Sequence, residues 1–575
     1  MNSRVASLPA PAARQLPALL LLFAGSGCAA LIYEIVWFQM LELVVGSAAI
    51  SMAVVLGTFM GGMGLGNLVL PRLVRADRHP LRIYALLEFG IAVSALFVWF
   101  ALPAVGHLYA QSLGPGRLDY FWRTAVCVIF LLPPTIAMGA TLPVIARWTR
   151  TTPQGVSWLG ACYGINIAGA VAGCLLAGFF LLRIYDLRVA SAAAVTLNIF
   201  VALVALALAR SAPEWKTPGD NLATADDPAS PRPALAGVHL SIALSGFCAL
   251  VAQVIWTRLL SLMLGGTVYT FSIILAVFLS GLGLGGFVGA ILVRRVARPG
   301  HALGWCQLAQ VLAIAWADDL LTRTLPFWPS GDANDVGMWG RFLSDLLRCS
   351  YAILPATLVW GASFPLAIAA GARSSPDPGR SVGRVYAANT IGAVLGAVLA
   401  SIALLPALGT SRIETLLFAA SGIAALALVR PASRSGWTML TLSVALAVWL
   451  GAKPSVVPWQ LVAYGRHAAE GDQTAQMLYI GEGNQATVAV SQNYAGIRYY
   501  HVSGKTEASS NFHDMRVQRM LGHLPALLHP EPHTVLVVGC GAGVTTGSLV
   551  LHPSIKRVVL CEIEPLVAQH VAGFF

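Results

Sequence analysis

Long apolar runs dominate the first three quarters of the chain, and they predict its fold class. Twelve of these runs are long enough to cross about 30 Å of hydrocarbon, and they form two series of six. The first series lies near 17–43, 48–70, 83–109, 124–146, 156–182 and 189–209. The second lies near 237–262, 267–292, 303–321, 346–371, 382–406 and 411–429. The pattern predicts a multi-pass α-helical membrane protein.

The two series are copies of each other. The stretch SGCAALIYEIVWFQML matches SGFCALVAQVIWTRLL, with Trp37 over Trp256, and YGINIAGAVAG at Tyr163 matches YAANTIGAVLG at Tyr386. The offset between the copies stays nearly constant along the chain. Because each copy has an even number of helices, both have the same orientation in the membrane. We therefore expect two parallel six-helix repeats, as in transporters of the major facilitator type.

Composition supports this reading and excludes a soluble protein. Apolar residues make up 57% of the chain and charged residues 11%, and the mean hydropathy is +0.73. The net charge of +11 comes mostly from arginines between apolar runs, so it indicates topology in a lipid bilayer and not nucleic-acid binding. No CxxC pair occurs among the nine cysteines, and no metal site is predicted.

The arginines and lysines between the runs predict the orientation of the chain. Nineteen lie on the side of the N-terminus and of the 210–236 connection, against nine on the other side, which places the first side in the cytoplasm of an inner-membrane protein. Segment 436–451 has only about 15 apolar residues, fewer than the roughly 20 of a spanning helix. We expect it not to cross, which would leave the tail cytoplasmic. If it does cross, the tail is extracytoplasmic.

Four polar residues inside the apolar runs are candidates for an intramembrane site: Glu34, Glu88, Asn166 and Asn389. Buried carboxylates in a membrane are costly and often mark a substrate or proton path. The alternative is structural, since asparagines also form hydrogen bonds across contacts between small-residue helices. Glu34 and Glu88 become Gln253 and Gln310 in the second copy, so one copy does without the charge.

The pattern changes after Pro458 to short alternating runs, which predict a small β-subdomain. ATVAV and IRYYHV, separated by SQNYAG, are typical of hairpin strands, and MRVQRMLGHLPALLHP fits an amphipathic helix. The predicted domains follow in order: first repeat 1–209, cytoplasmic linker 210–236, second repeat 237–430, short apolar segment 431–457, β-subdomain with helix 458–530, and an incomplete Rossmann nucleoside-binding domain 531–575.

The last segment predicts the start of that Rossmann fold. TVLVVGCGAG is a buried strand followed by a glycine turn, and RVVLCEIEP is a second strand that ends in acid. Gly539, Gly541 and Gly543 would allow close approach of a ligand. Glu562 falls 562 − 543 = 19 residues after the third glycine, where a carboxylate typically accepts hydrogen bonds from ribose hydroxyls. These four residues are the predicted nucleoside-binding site.

The run from SGKTEASSNFHDM to CEIEP resembles the spermidine synthase family, and in particular its bacterial membrane-fused members. The resemblance implies a β-stranded subdomain before a methyltransferase-like Rossmann fold. It implies transfer of an aminopropyl group from decarboxylated S-adenosylmethionine to putrescine, with Gly539, Gly541 and Gly543 around the nucleoside and Glu562 on the ribose.

The sequence departs from the family pattern at several positions. Ala542 stands where the soluble enzymes have an aspartate that helps bind the donor's amine, and Ser503-Gly504, followed by Lys505, stands where they have Asp-Gly. The family's catalytic aspartate would lie beyond residue 575. We therefore expect a truncated domain that binds nucleoside weakly or not at all and does not catalyse transfer.

Three functions remain open from the sequence. The first is a membrane-bound aminopropyltransferase that uses decarboxylated S-adenosylmethionine and a polyamine. The second is an S-adenosylmethionine-dependent methyltransferase-like enzyme, which Ala542 favours because alanine leaves room beside the donor. The third is a polyamine-like cation transporter with a degenerate sensor tail, which the helical duplication favours. Nothing in the sequence indicates an oligomeric state.

Overall fold

The structure is a computed structural model that describes most of the chain. The described residues are 10–45, 48–73, 78–112, 117–149, 153–211, 235–328, 337–372, 378–428, parts of 437–449, 456–483 and 485–575.

Twelve helices form the bundle in the described part of the chain. The first six are α1 (Ala10–Val45), α2 (Ala48–Leu73), α3 (Pro80–Ser112), α4 (Arg117–Thr149), α5 (Pro153–Leu176) and α6 (Leu187–Ser211). The next six are α7 (Leu235–Leu264), α8 (Val268–Arg295), α9 (Pro299–Asp319), α10 (Gly337–Ala372), α11 (Pro378–Leu399) and α12 (Leu405–Leu426). The six-plus-six arrangement predicted from the apolar runs is confirmed.

Length and composition alone identify nine membrane-spanning candidates among the described residues. Nine candidates correspond to twelve helices for three reasons. One candidate, Arg384–Leu426, is 43 residues long and covers α11 and α12 together, because the π-helical turn Ala400–Leu404 joins them without a break. The apolar part described in α2, Val54–Val69, is shorter than a full span. α9, with 21 residues, completes the set.

The outer surface of the bundle is apolar, as a membrane requires. Large side chains such as Leu86, Phe97, Phe100 and Phe287 are each at least 60% exposed. Exposed apolar patches of this kind are rare on soluble monomers, whereas in a membrane they contact lipid tails. The chain is therefore a multi-pass membrane protein.

The two halves repeat the same close helix contacts. A Cβ atom on Gly66 of α2 would lie 2.0 Å from the carbonyl oxygen of Ile136 in α4, so only glycine fits. At the equivalent place in the second half, a Cβ atom on Gly285 of α8 would lie 2.0 Å from the carbonyl oxygen of Leu358 in α10. Small residues that let helix backbones approach are the usual means of helix association in membranes.

Other local features also occur once in each half. Trp37 and Trp256 are both fully buried in the first helix of their repeat. A π-helical turn follows the fifth helix of each repeat, at Ala177–Leu181 and at Ala400–Leu404. Such turns depart from the regular helix, so their recurrence supports the duplication independently of hydrophobicity.

The two repeats contact each other through two equivalent helix pairs. α5 packs against α8, and α11 packs against α2, so the fifth helix of each repeat contacts the second helix of the other. Tyr163 lies in α5 and Tyr386 in α11. The side chain of Tyr163 falls outside the described residues.

The tail begins with a short helix, α13 (Trp459–Tyr464), and a four-stranded antiparallel sheet in the order β1-β2-β3-β4. Its strands are β1 (Gln476–Glu482), β2 (Thr487–Gln492), β3 (Arg498–Val502) and β4 (Lys505–Ser509). The predicted hairpin is confirmed, with Val488 opposite Val502 and Gln492 opposite Arg498.

A parallel two-stranded sheet completes the described tail. Helix α14 (Phe512–Leu528) precedes it, and the Asn511 side chain caps this helix by accepting a hydrogen bond from the His513 N–H at 3.1 Å. The strands β5 (Thr534–Val538) and β6 (Arg557–Cys561) run parallel, with α15 (Val544–Val550) between them. This is the predicted first half of a nucleotide-binding unit.

The tail docks on the end of the bundle that lies opposite the 212–234 connection. α7 begins at Leu235, directly after that connection, and the tail contacts its other end. Arg258 in α7 donates to the Gly483 carbonyl at 3.0 Å, and Arg466 donates to the Leu264 carbonyl at 3.1 Å. At the start of α12, the Thr410 hydroxyl donates to the Glu482 carboxylate at 2.8 Å.

This docking corrects the predicted topology. α12 ends at the same side as Ser211 and Leu235, whereas α13 lies at the opposite side. The described ends at Leu428 and Val456 therefore lie at opposite ends of the bundle, with 455 − 428 = 27 residues of sequence between them. Most of 436–451 lies outside the described residues, so the prediction that it does not cross stays a prediction. The expectation that the tail lies on the same side as the 210–236 connection disagrees with these contacts, which place the tail at the opposite end of the bundle.

The segment between α12 and α13 is described only in part. Its described residues, Trp437, Thr438, Thr441, Leu442, Ala445, Leu446 and Trp449, are all helical. Leu446 packs against the buried core of the second repeat, so part of the segment is covered by protein. At a rise of 1.5 Å per residue, 27 residues can span about 40 Å, which exceeds the hydrocarbon thickness.

Candidate functional site

The glycine loop after β5 has the geometry of a ligand-binding turn. Gly539, Gly541 and Gly543 have φ angles of 86°, 54° and 80°, a backbone region that other residues rarely adopt. A Cβ atom on Gly539 or Gly541 would meet nothing within 4 Å, so these two face open space. A Cβ atom on Gly543 would lie 3.0 Å from Ala572, which leaves no room for a side chain.

Glu562 lies against this loop. Its carboxylate accepts a hydrogen bond from the Cys540 N–H at 2.6 Å and one from the Glu564 N–H at 3.0 Å. Each carboxylate oxygen can accept more than one hydrogen bond, so acceptor capacity remains for a ligand. The structure therefore brings the four predicted nucleoside-binding residues together. Their role in binding stays a prediction.

Glu564 is a residue of this site that the sequence reasoning did not identify. It is 3% exposed and accepts hydrogen bonds from the N–H groups of Gln485, Ala486 and Leu566, at 2.9, 3.3 and 3.3 Å. The carboxylate thereby holds the turn between β1 and β2 against the end of β6. The only sequence signal is a second acid two residues after Glu562.

The underside of the loop is apolar and buried. Ala542 is 3% exposed and packs in a cluster with Tyr500, Cys540 and Val567. Burial, and then the nearby Glu562 carboxylate, raises the pKa of the Cys540 thiol. Burial also raises the pKa of the Tyr500 phenol. An aspartate at position 542 would have to ionise inside this cluster, so the departure from the family pattern agrees with the packing.

The intramembrane carboxylates lie within the first repeat and do not join the loop. Glu88 in α3 is fully buried and accepts hydrogen bonds from Ser26 of α1 and Asn198 of α6. It thereby connects three helices. Glu34 in α1 is 5% exposed. A transport role for either residue stays a prediction.

The two asparagines occupy equivalent positions at helix contacts. Asn166 in α5 donates to the Phe23 carbonyl of α1 at 3.1 Å. The backbone oxygen of Asn166 faces Gly27, and that of Asn389 faces Gly246 in the same way. These contacts match the structural alternative for the pair. Within the described residues, no group of three histidines, cysteines or acids is placed to hold a metal ion.

The C-terminal part of the chain is similar to a known family of enzyme domains. The family model for the spermine/spermidine synthase domain matches residues 514–575. Polyamine aminopropyltransferase 2 of Streptomyces coelicolor is 27% identical over 378 residues, which are 62% of this chain and 63% of the relative. The polyamine aminopropyltransferase of Leptospira biflexa is 40% identical over 78 residues, 14% of this chain and 27% of the relative.

The chain thus covers less than two thirds of the length of these relatives. Among solved structures, a bacterial homolog of the human lysosomal transporter Spinster is 15% identical with a TM-score of 0.47, over 78% of this chain and 97% of that one. A bacterial homologue of the iron transporter ferroportin is 14% identical with a TM-score of 0.44, over 77% of this chain and all, 100%, of that one.

The helices and sheets described above define a class: a multi-pass helical membrane protein with an α/β tail. The resemblance of that tail to the spermidine synthase family is confirmed.

Proposed function

We propose that the tail binds decarboxylated S-adenosylmethionine and transfers its aminopropyl group to a polyamine. The observation that carries this proposal is the contact between the glycine loop and Glu562 inside the segment that matches the synthase domain. The open space over Gly539 and Gly541 would admit the nucleoside, and Glu562 would accept hydrogen bonds from its ribose.

The chemistry would be a displacement at carbon. The free amine of the polyamine attacks the methylene carbon bound to the sulfonium sulfur, a C–N bond forms, and the C–S bond breaks. The sulfur leaves as a neutral thioether with the electron pair of that bond, and the new ammonium loses a proton to a base. The residues of this chain that take part are those that position the donor: the three glycines and Glu562.

One observation favours a second candidate function. Ala542 is buried in an apolar cluster and offers no charge to the donor's amine. A methyltransferase-like reaction with S-adenosylmethionine makes no demand for an aspartate at that place. The duplicated bundle supports a third candidate, transport of a polyamine-like cation, to which the tail would respond.

Calorimetry on the purified protein distinguishes the two enzymatic functions. Tighter binding of decarboxylated S-adenosylmethionine than of S-adenosylmethionine supports aminopropyl transfer, and the reverse order supports methyl transfer. If neither donor binds, both enzymatic proposals fail.

The site assignment has its own test. Glu562→Ala should weaken donor binding by about tenfold or more, because a lost hydrogen bond that leaves a partner unpaired costs about 1–3 kcal/mol. Glu531→Ala removes an exposed glutamate elsewhere in the tail and should leave the affinity unchanged. Unchanged affinity in the Glu562 variant would contradict the assignment.

We also propose that the protein resides in an inner membrane with its N-terminus in the cytoplasm. The support is the excess of arginine and lysine on that side, nineteen against nine.

A further inference from the structure

We propose that the tail and its glycine loop lie on the extracytoplasmic side of the membrane. This inference rests on the orientation proposed above and goes beyond the function proposed for the tail. It concerns where the site operates, and it holds whichever donor the site takes.

The first step is the geometry of docking. Among the described residues, the hydrogen bonds between tail and bundle are made at one end of the second repeat, by Arg258, Asp345, Leu264 and Thr410. Asp345 lies near the start of α10, Leu264 ends α7, and Thr410 lies near the start of α12. All of these helix ends face away from Leu235, where α7 begins.

The second step is the strength of that docking. The Arg466 guanidinium contacts both oxygens of Asp345, at 3.0 and 2.8 Å, and the Asp345 side chain is only 7% exposed. Arg258 donates to the Thr487 hydroxyl at 2.8 Å in addition to the Gly483 carbonyl. Bidentate pairs between arginine and carboxylate fix geometry as well as supplying energy. These contacts therefore fix the tail at this end of the bundle.

The third step is the charge asymmetry. The end that carries the tail is the end with nine connecting arginines, and the opposite end carries nineteen basic residues. Short basic connections remain in the cytoplasm during insertion. The end with the tail therefore faces outward, and the crossing between Leu428 and Val456 carries the chain there.

One consequence concerns the order of events in the proposed reaction. A nucleoside sulfonium is a cation and does not cross hydrocarbon unaided. If the tail takes such a donor, a transport step must supply it on the outer side before transfer occurs.

Cysteine labelling in intact cells tests the placement without depending on activity. The parent carries Cys561→Ser, which removes the exposed native thiol; the other cysteines of the described chain are buried or half-buried. Tyr494→Cys, at a position 91% exposed in the turn between β2 and β3, probes the tail. Ser211→Cys, exposed at the end of α6, probes the opposite end.

A membrane-impermeant maleimide should label the Tyr494→Cys protein in intact spheroplasts at least tenfold faster than the parent. It should label the Ser211→Cys protein only after permeabilisation. Ala495→Cys, exposed in the same turn, repeats the tail measurement if the first variant expresses poorly. Labelling of the tail only after permeabilisation would overturn the proposal, even if donor binding proves correct.

Discussion

At the scale of single residues, Glu88 shows how the duplicated halves have diverged. Its carboxylate accepts hydrogen bonds from Ser26 and Asn198, while neither amide atom of its counterpart, Gln310, has a hydrogen-bond partner among the described residues. The first repeat thus has a polar contact between three helices that the second lacks at this place. The sequence comparison revealed the Glu-to-Gln change but could not reveal that only one side chain is satisfied.

Replacing Glu88 should therefore cost more than replacing Gln310. Glu88→Ala leaves two buried donors, the Ser26 hydroxyl and the Asn198 amide, without their acceptor. We therefore expect a loss of about 1–3 kcal/mol in the free energy of unfolding. Gln310→Ala leaves no donor without its acceptor, so its loss in the free energy of unfolding should be smaller. Thermal unfolding of the two variants in detergent measures the difference. Equal losses would show that the Glu88 contacts contribute nothing.

His501 makes the tail sensitive to acid. It is fully buried in β3, where its ring contacts the Ser491 hydroxyl at 2.8 Å and the Thr506 hydroxyl at 3.1 Å. Burial lowers the pKa of His501 to about 4. An unfolded histidine has a pKa of about 6.5, so between these values the unfolded chain binds a proton that the folded tail excludes.

The tail should consequently lose up to about 3 kcal/mol of stability as the pH falls from about 6.5 to 4, and lose none through this group above pH 7. Pulse proteolysis of the tail in urea at several pH values measures this loss. His501→Gln should flatten the pH dependence, and His513→Gln, at an exposed position, should leave it unchanged. An unaltered slope in the first variant would refute the role of His501.

At the scale of elements, the turn between β1 and β2 links the bundle to the glycine loop. Arg258 holds Gly483 on the bundle side, and Glu564 holds the N–H groups of Gln485 and Ala486 on the other side. Glu564 in turn donates its own N–H to Glu562, which lies against the loop. A continuous set of contacts therefore runs from α7 to the candidate site.

The pair Asp345 and Arg466 should contribute measurably to docking. A double-mutant cycle with Asp345→Ala and Arg466→Ala is expected to give a coupling of about 0.5–3 kcal/mol in the protection of the tail from protease. The exposed pair Asp319 and Arg323, one turn apart at the end of α9, is the matched control and should give a coupling near zero in this measurement, because its ion pair lies within the bundle. A coupling no larger than the control would contradict a docking role.

Local patterns predicted the elements better than they predicted how the elements are placed. Alternation in ATVAV and IRYYHV gave the hairpin, because such runs and the turn between them are local signals, although the structure buries both faces of β2 from Thr487 to Ser491. The apolar length of 436–451 led to the wrong end of the bundle for the tail, because that end is decided by long-range contacts such as Arg466 with Asp345. The role of Glu564 was not predicted for the same reason, since its hydrogen-bond partners Ala486 and Gln485 lie 78 and 79 residues away in the sequence.

At the scale of the whole molecule, the two halves are related by duplication, and equivalent glycines should respond alike. Gly66→Ala and Gly285→Ala each place a methyl group 2.0 Å from a facing carbonyl oxygen. Each should force its helix pair apart and cost more than about 1 kcal/mol.

Gly90→Ala provides the control, because a methyl group there meets nothing within 4 Å. It should be neutral or stabilising by about 0.4–1 kcal/mol. Unfolding midpoints in detergent, measured for all three variants, test the equivalence. A large loss at only one of the two packed glycines would count against equivalent packing in the halves.

The proposed crossing between Leu428 and Val456 would also have a consequence for biogenesis. A domain that follows this crossing has to pass through the insertion machinery unfolded and acquire its structure afterwards. The twelve helices are synthesised before the tail. Asp345 and Arg258 therefore lack their partners in the tail, Arg466 and the Gly483 carbonyl, until the tail has been made. Assembly of the protein would therefore end when the tail docks on the bundle and Asp345 and Arg258 gain their hydrogen bonds to it.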